Sequence, residues 1–268
     1  MAAAAEGNNE GGGVDILSHI LDSHELHLGP LHIPLPHLEL FGIDMSITVH
    51  LVMMWIASLF LLLTLISTTK KRGLVPSGFA NAIEALIIFI RDDIVIPNIG
   101  KKDTPRFLPF LLTAFIFILA CNLLGLIPFG ATATANINVT ATLAICSFMA
   151  MLVGGIRHNG FIGYFVGLIP SGLPLWLMPL MIPLEFLGLF TKPFALAVRL
   201  FANMTAGHVV IISLLSLIFV LNTVVVAPAS VIFALAIYLL EIFVSFVQAY
   251  VFTLLSAVFI GMAIHQEH

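Results

Sequence analysis

From Pro183 to Val220 and from Pro228 to Ile264 the chain carries two apolar segments, each more than thirty-five residues long. About 20 apolar residues suffice to cross a hydrocarbon core about 30 Å thick. At 1.5 Å per residue, either segment as one helix would be about 55 Å long. Such helices must tilt steeply or break. Pro193 and Pro228 are the candidate kinks or starts. Backbone polar groups in lipid must be satisfied internally, so only helices and closed barrels span a membrane. Continuous apolar runs, rather than alternating ten-residue segments, select helices. Composition agrees: 60% of residues are hydrophobic and 9% charged, where a soluble domain has about 25% charged. The expected fold class is an all-α polytopic membrane protein.

Charge placement sets the topology. Ile47 to Ser67 is a first span, followed by Lys70, Lys71 and Arg72. Basic residues beside a span mark the cytoplasmic side, which puts the N-terminus outside. Phe79 to Ile90 is too short to span. Phe79, Ile83, Leu86, Ile87 and Ile90 share one helical face, as in an interfacial amphipathic helix. A basic loop with Arg91, Lys101, Lys102 and Arg106 follows, again inside. Phe107 to Ile127 runs outward, an uncharged turn follows, and Ala133 to Gly155 returns to Arg157 and His158. The two long segments complete five passages plus one interfacial helix, with the last two helices strongly tilted and the C-terminus cytoplasmic.

Two regions follow: a flexible, acidic, histidine-containing extracytoplasmic segment over 1–45 and a membrane-embedded domain over 46–268. Residues 1–46 hold seven acids and no Lys or Arg. The opening MAAAAEGNNEGGG reads as a disordered tail without the basic and apolar regions of a secretory signal. His19, His24, His27, His32 and His37 match no closed metal-ligand spacing and read as an aqueous-facing polar segment. Cys121 and Cys146 fall inside apolar spans and read as small buried hydrophobes. Nothing points to nucleic acid.

Polar groups inside the membrane carry the functional signal, because each normally faces protein or water. On the fourth passage they are Glu185, Lys192, Arg199, Asn203, Thr205 and His208; on the fifth, Glu241, Ser245 and Gln248. The last three are spaced i, i+4 and i+7 and lie on one helical face. Arg199 to His208 is nine residues, about 13 Å of rise, and Glu241 to Gln248 is seven, about 10 Å. In antiparallel helices with Arg199 at the level of Gln248, His208 meets Glu241. A His beside a Glu can pass protons, since both titrate near neutral pH when partly buried. Arg199 stays charged. No acid lies within a turn of it, so its counter-charge must come from Glu241 or from another chain.

"RLFANMTAGH", preceded by "TKP" and followed by "EIFVSFVQAYVFTLL", resembles subunit a of the F-type ATP synthases. The resemblance covers most of residues 41–268. It implies a non-catalytic stator subunit, without nucleotide site, cofactor or metal, in a lipid membrane. Its partners would be a ring of c subunits, the b-subunit peripheral stalk and the rest of the synthase. Arg199 matches the charge between two proton half-channels. Asn203, His208, Glu241 and Gln248 match the outer half-channel, with Ser245 on the same face. Glu185 matches the inner one, and Lys192 lies beside it. Many bacterial members exchange the outer acid and histidine. Here His208 precedes Glu241, as in the mitochondrial-type arrangement. The implied location is a bacterial inner membrane, with the mitochondrial inner membrane as the alternative. A stand-alone secondary transporter or channel would also use intramembrane charges. The absence of an internal repeat and of paired broken helices counts against it.

Overall fold

The computed structural model describes residues 48–70, 78–127, 132–168, 177–221 and 226–266, with the backbone of four short strands among 25–44. These strands form two antiparallel hairpins: β1 (Glu25–Leu28) with β2 (Leu31–Pro34), and β3 (Glu39–Leu40) with β4 (Ile43–Asp44). They precede the first span, and no strand follows them among the described residues. The side chains of the five N-terminal histidines, and Lys71 and Arg72, lie outside the described residues.

Among the described residues five helices are long and apolar enough to cross a membrane. They are α1 (Val49–Lys70), α4 (Thr104–Gly125), α5 (Ile137–Asn159), α7 (Met178–Val220) and α8 (Ala227–Ile264). Between them lie α2 (Phe79–Phe89), α3 (Ile96–Ile99) and α6 (Phe161–Val166). The surface is apolar: Leu63, Ile145, Phe186, Phe194 and Phe243 are all exposed. Large exposed apolar area is unstable in water and is what a lipid-facing wall needs.

The two long helices are continuous. α7 runs 43 residues through Pro183 and Pro193, about 65 Å at helical rise. Pro193 therefore starts no new helix. Pro228 sits in the first turn of α8, where its missing N–H costs nothing. α8 packs against α4, α5 and α7 and is the central element of the bundle. α1 packs on α4 at the edge, around Ala57 and Cys121.

Two expectations need correction. Residues 91–99 belong to the segment expected as a basic loop with Arg91, Lys101, Lys102 and Arg106. Instead Ile90–Val95 continues α2 as a π-helical turn and Ile96–Ile99 forms α3. Ile90, Ile94, Val95 and Ile99 are fully buried, and this apolar face outweighs the charges, which point outward. Pro97 sits in the first turn of α3, where it is tolerated. Gly261 lets α8 approach this segment, since a Cβ there would collide with the carbonyl oxygen of Asn98. Second, Cys121 is buried but Cys146 is exposed, and both are free thiols. Cys146 is on the outward face of α5, where a small apolar side chain is compatible with lipid.

At one end of the bundle the C-terminus of α8 is tied down by polar contacts. Asn159 Nδ2 donates to the Ala263 carbonyl at 3.0 Å. Gln266 Nε2 donates to the Tyr164 carbonyl at 3.2 Å, and His265 Nε2 lies 3.0 Å from the Ile99 carbonyl. These bonds join α8 to α3, α5 and α6. They satisfy carbonyls that a helix end leaves free.

Candidate functional site

The polar residues of α7 and α8 meet where the antiparallel register requires. His208 Nε2 lies 3.7 Å from Glu241 Oε1. That is an ion-pair distance and slightly too long for a hydrogen bond. Glu241 is 3% exposed, and among the described residues neither carboxylate oxygen has a hydrogen-bond partner. Buried polar groups are normally satisfied, so this carboxyl keeps its bonding capacity free. Gly207 makes room for it: a Cβ at 207 would stand 2.5 Å from Glu241 Oε1. Ser245 and Gln248 are buried on the same face of α8. The Ser245 hydroxyl donates to the Glu241 carbonyl at 2.8 Å.

A short turn closes this cluster. Ala133–Ala135 is a single 3-10 turn between α4 and α5. The Thr132 hydroxyl is hydrogen-bonded to His208 Nε2. Thr134 Oγ1 donates to Asn122 Oδ1 at 2.5 Å, and Asn122 Nδ2 donates to the Ser245 carbonyl at 3.4 Å. Thr205 Oγ1 reaches the Ala135 carbonyl at 3.5 Å. Thr132, Thr134 and Asn122 are all buried. None of the three was picked out from the sequence as a site residue. Asn122 could have been, as an amide inside an apolar span. The threonines lie in an uncharged turn and carry no periodic signal.

Arg199 is exposed. Among the described residues its guanidinium makes no ion pair and no side-chain hydrogen bond. Asn203, one turn on, is half-buried. The register places Arg199 further along. His208 faces Glu241, Leu196 and Pro193 share a cavity wall with Ser256 and Phe259, and Glu185 lines a cleft with Gln266. In that register Arg199 falls within about one turn of Gln248. Glu241 is thus nearer His208 than Arg199, and it is not the arginine's partner.

Glu185 and Lys192 come together at the other end of the bundle. With Tyr164, Leu189, Met262 and Gln266 they line an open cleft of about 50 Å³. Lys192 Nζ lies 5.7 Å from the centre of the Phe259 ring, within cation–π range. Burial pushes the Tyr164 phenol up, so it lines the cleft as a neutral group. Between this cleft and the His208 cluster, Ser147 and Ser256 are bonded through their hydroxyls at 3.0 Å. One helix pair therefore carries two polar clusters, one around His208 and Glu241 and one around Glu185 nearer the start of α7, with Arg199 between them along α7 and unpaired among the described residues.

A family described as ATP synthase A chain matches residues 51–261. This chain belongs to that family. The matched region includes every residue of both clusters except Met262, Ala263 and Gln266 at the cleft. A relative from Chloroherpeton thalassium, named ATP synthase subunit a, is 54% identical over 263 residues, covering 95% of this chain and 78% of its own length. One from Myxococcus xanthus, of the same name, is 55% identical over 229 residues, covering 84% and 75%. One from Prosthecochloris aestuarii, named ATP synthase subunit a 2, is 50% identical over 275 residues, covering 100% and 84%. With its five apolar spans, this member of the ATP synthase A chain family is a multi-pass membrane protein.

Proposed function

We propose that the chain is the static membrane subunit of a proton-driven rotary ATP synthase in a bacterial inner membrane. It would carry two proton half-channels that load and unload carboxylates on a rotating c-subunit ring. The observation that carries this reading is Arg199, an exposed cation without a partner among the described residues, set between two polar clusters. A charge at mid-membrane is costly by about 3 to over 10 kcal/mol. A group that arrives and leaves can offset that cost intermittently, and a carboxylate on a moving neighbour is such a group.

Each part then has a task. Asn203, His208, Glu241, Ser245 and Gln248 form the outer path, and Glu185 and Lys192 the inner one. An ionised ring carboxylate facing lipid is strongly disfavoured, so the ring turns while its other sites carry protons. Arg199 favours the ionised form of the carboxylate opposite it and thereby proton release. It also repels protons, which separates the two paths. Each proton crossing 100 mV releases about 2.3 kcal/mol, and a direct leak would dissipate it. The chain catalyses no step on nucleotide. Its further partners would be the b-subunit stalk and the rest of the synthase. Residues 1–45 would form an extracytoplasmic segment and residues 46–268 the membrane domain.

Single cysteines test the arrangement in the assembled complex. Ala202 and Ala206 are exposed on α7 close to Arg199. Cysteines there are expected to crosslink to a small carboxylate-bearing proteolipid, and a cysteine at Lys71 to react only with reagent on the cytoplasmic side. Absence of that crosslink at both positions would remove the ring from the account. Labelling of position 71 from outside would invert the topology.

A further inference from the structure

The proposed proton path runs through His208, and one contact on this residue was not foreseen. Its Nε2 is the nitrogen that points to Glu241, 3.7 Å away. The same atom is hydrogen-bonded to the hydroxyl of Thr132. Thr132 and Glu241 therefore share one nitrogen. Thr132 is 2% exposed, and its position is provided for. A Cβ at Gly125 would collide with the Thr132 side chain, so glycine leaves the space it fills. The turn that follows is fastened at two further points, by Thr134 to Asn122 on α4 and by Thr205 of α7 to Ala135.

We propose that Thr132 is a positioning residue for His208 and holds its Nε2 through both halves of a proton hand-over to Glu241. This inference rests on the reading of His208 and Glu241 as a proton path. A hydroxyl both donates and accepts. When His208 is doubly protonated, Nε2–H donates to Thr132 Oγ1. The carboxylate then closes the 3.7 Å gap, the N–H is released from Thr132, and the proton moves from Nε2 to Glu241 Oε1: the N–H bond breaks, the O–H bond forms, and both side chains end neutral. Nε2 now carries a lone pair, and the Thr132 hydroxyl rotates to donate to it. The starting state returns when the carboxyl passes its proton on, a new proton reaches the Nε2 lone pair, the one ring nitrogen able to take it, and the Thr132 hydroxyl turns back to accept. A purely accepting or purely donating neighbour would favour one state and hinder the other. Thr132 holds the imidazole in one place in both, a shell of the kind that orients histidines in other reactive sites.

The test uses membrane vesicles carrying the assembled synthase, with ATP synthesis driven by respiration. Thr132→Val keeps the shape and removes the hydroxyl. It is expected to slow synthesis about tenfold, the scale of one lost hydrogen bond to a charged group. Thr132→Ser restores the hydroxyl and is expected to recover most of the rate. His208→Ala is expected to be at least as slow as Thr132→Val. Adding Thr132→Val to it is expected to cost nothing more, because Thr132 acts through the ring. Immunoblotting normalises for assembled complex. If Thr132→Val does not assemble, Thr132→Ala takes its place with the same expectations. Wild-type rates in the hydroxyl-free variant beside a slow His208→Ala would overturn the role of Thr132 alone. So would a serine variant as slow as the valine one, since shape and not the hydroxyl would then matter. Wild-type rates in His208→Ala would overturn the proton path itself.

Discussion

Arg199→Ala is expected to abolish proton-coupled ATP synthesis, by on the order of 100-fold or more, as for removal of a group that stabilises a transient charge in a dry site. The variant should still assemble. Arg199 is exposed and makes no ion pair or side-chain hydrogen bond among the described residues, so truncating it removes neither kind of bond there. The helix it sits on is held by Leu196, Ala197, Leu200 and Met204, all buried. Loss of function without loss of the complex is the signature of a charge used between molecules. ATP synthesis in inverted vesicles, normalised to the amount of complex, reads it.

The second large effect concerns the buried pair. Replacing His208 or Glu241 alone with alanine is expected to slow synthesis by on the order of 100-fold, the usual scale for loss of a proton-transfer group. Exchanging the two, as His208→Glu with Glu241→His, is expected to retain considerably more activity than either removal. The two groups are 3.7 Å apart, so the exchange preserves one acid and one imidazole at the same place. It is not expected to be silent. Gly207 is fitted to the carboxylate of Glu241, and a histidine at 241 brings a larger ring against it. Thr132 would meet a carboxylate in place of an imidazole. A double variant as slow as the slower single one would show that the two residues do not act together.

The parts of this arrangement that could be read from sequence are those set by length and period. Spans follow from apolar length, and the five passages are present. The common face of Glu241, Ser245 and Gln248 follows from helical spacing, and all three are buried. The meeting of His208 with Glu241 follows from rise per residue in two antiparallel helices. What could not be read lies in long-range pairings. Thr132 finds His208 across 76 residues, and Asn122 finds Ser245 across 123, with no charge to draw attention to either. Residues 91–99 depart from the expected loop for a different reason. Their charges and proline suggest a loop, but Ile90, Ile94, Val95 and Ile99 form a buried face on a π-helical turn, whose period differs from that of an α-helix. The exposed position of Arg199 was legible in one respect only, as the lack of a nearby acid.

The central claim is that Arg199 both couples the ring to the proton path and keeps the two half-channels apart. The most direct measurement is passive proton conductance in vesicles carrying the Arg199→Ala complex with its soluble sector removed, set beside ATP synthesis in intact vesicles. The expected result is synthesis lost while proton conductance persists or rises, because the barrier between the paths is gone. Vesicles that are proton-tight and still make ATP at the wild-type rate would contradict the account.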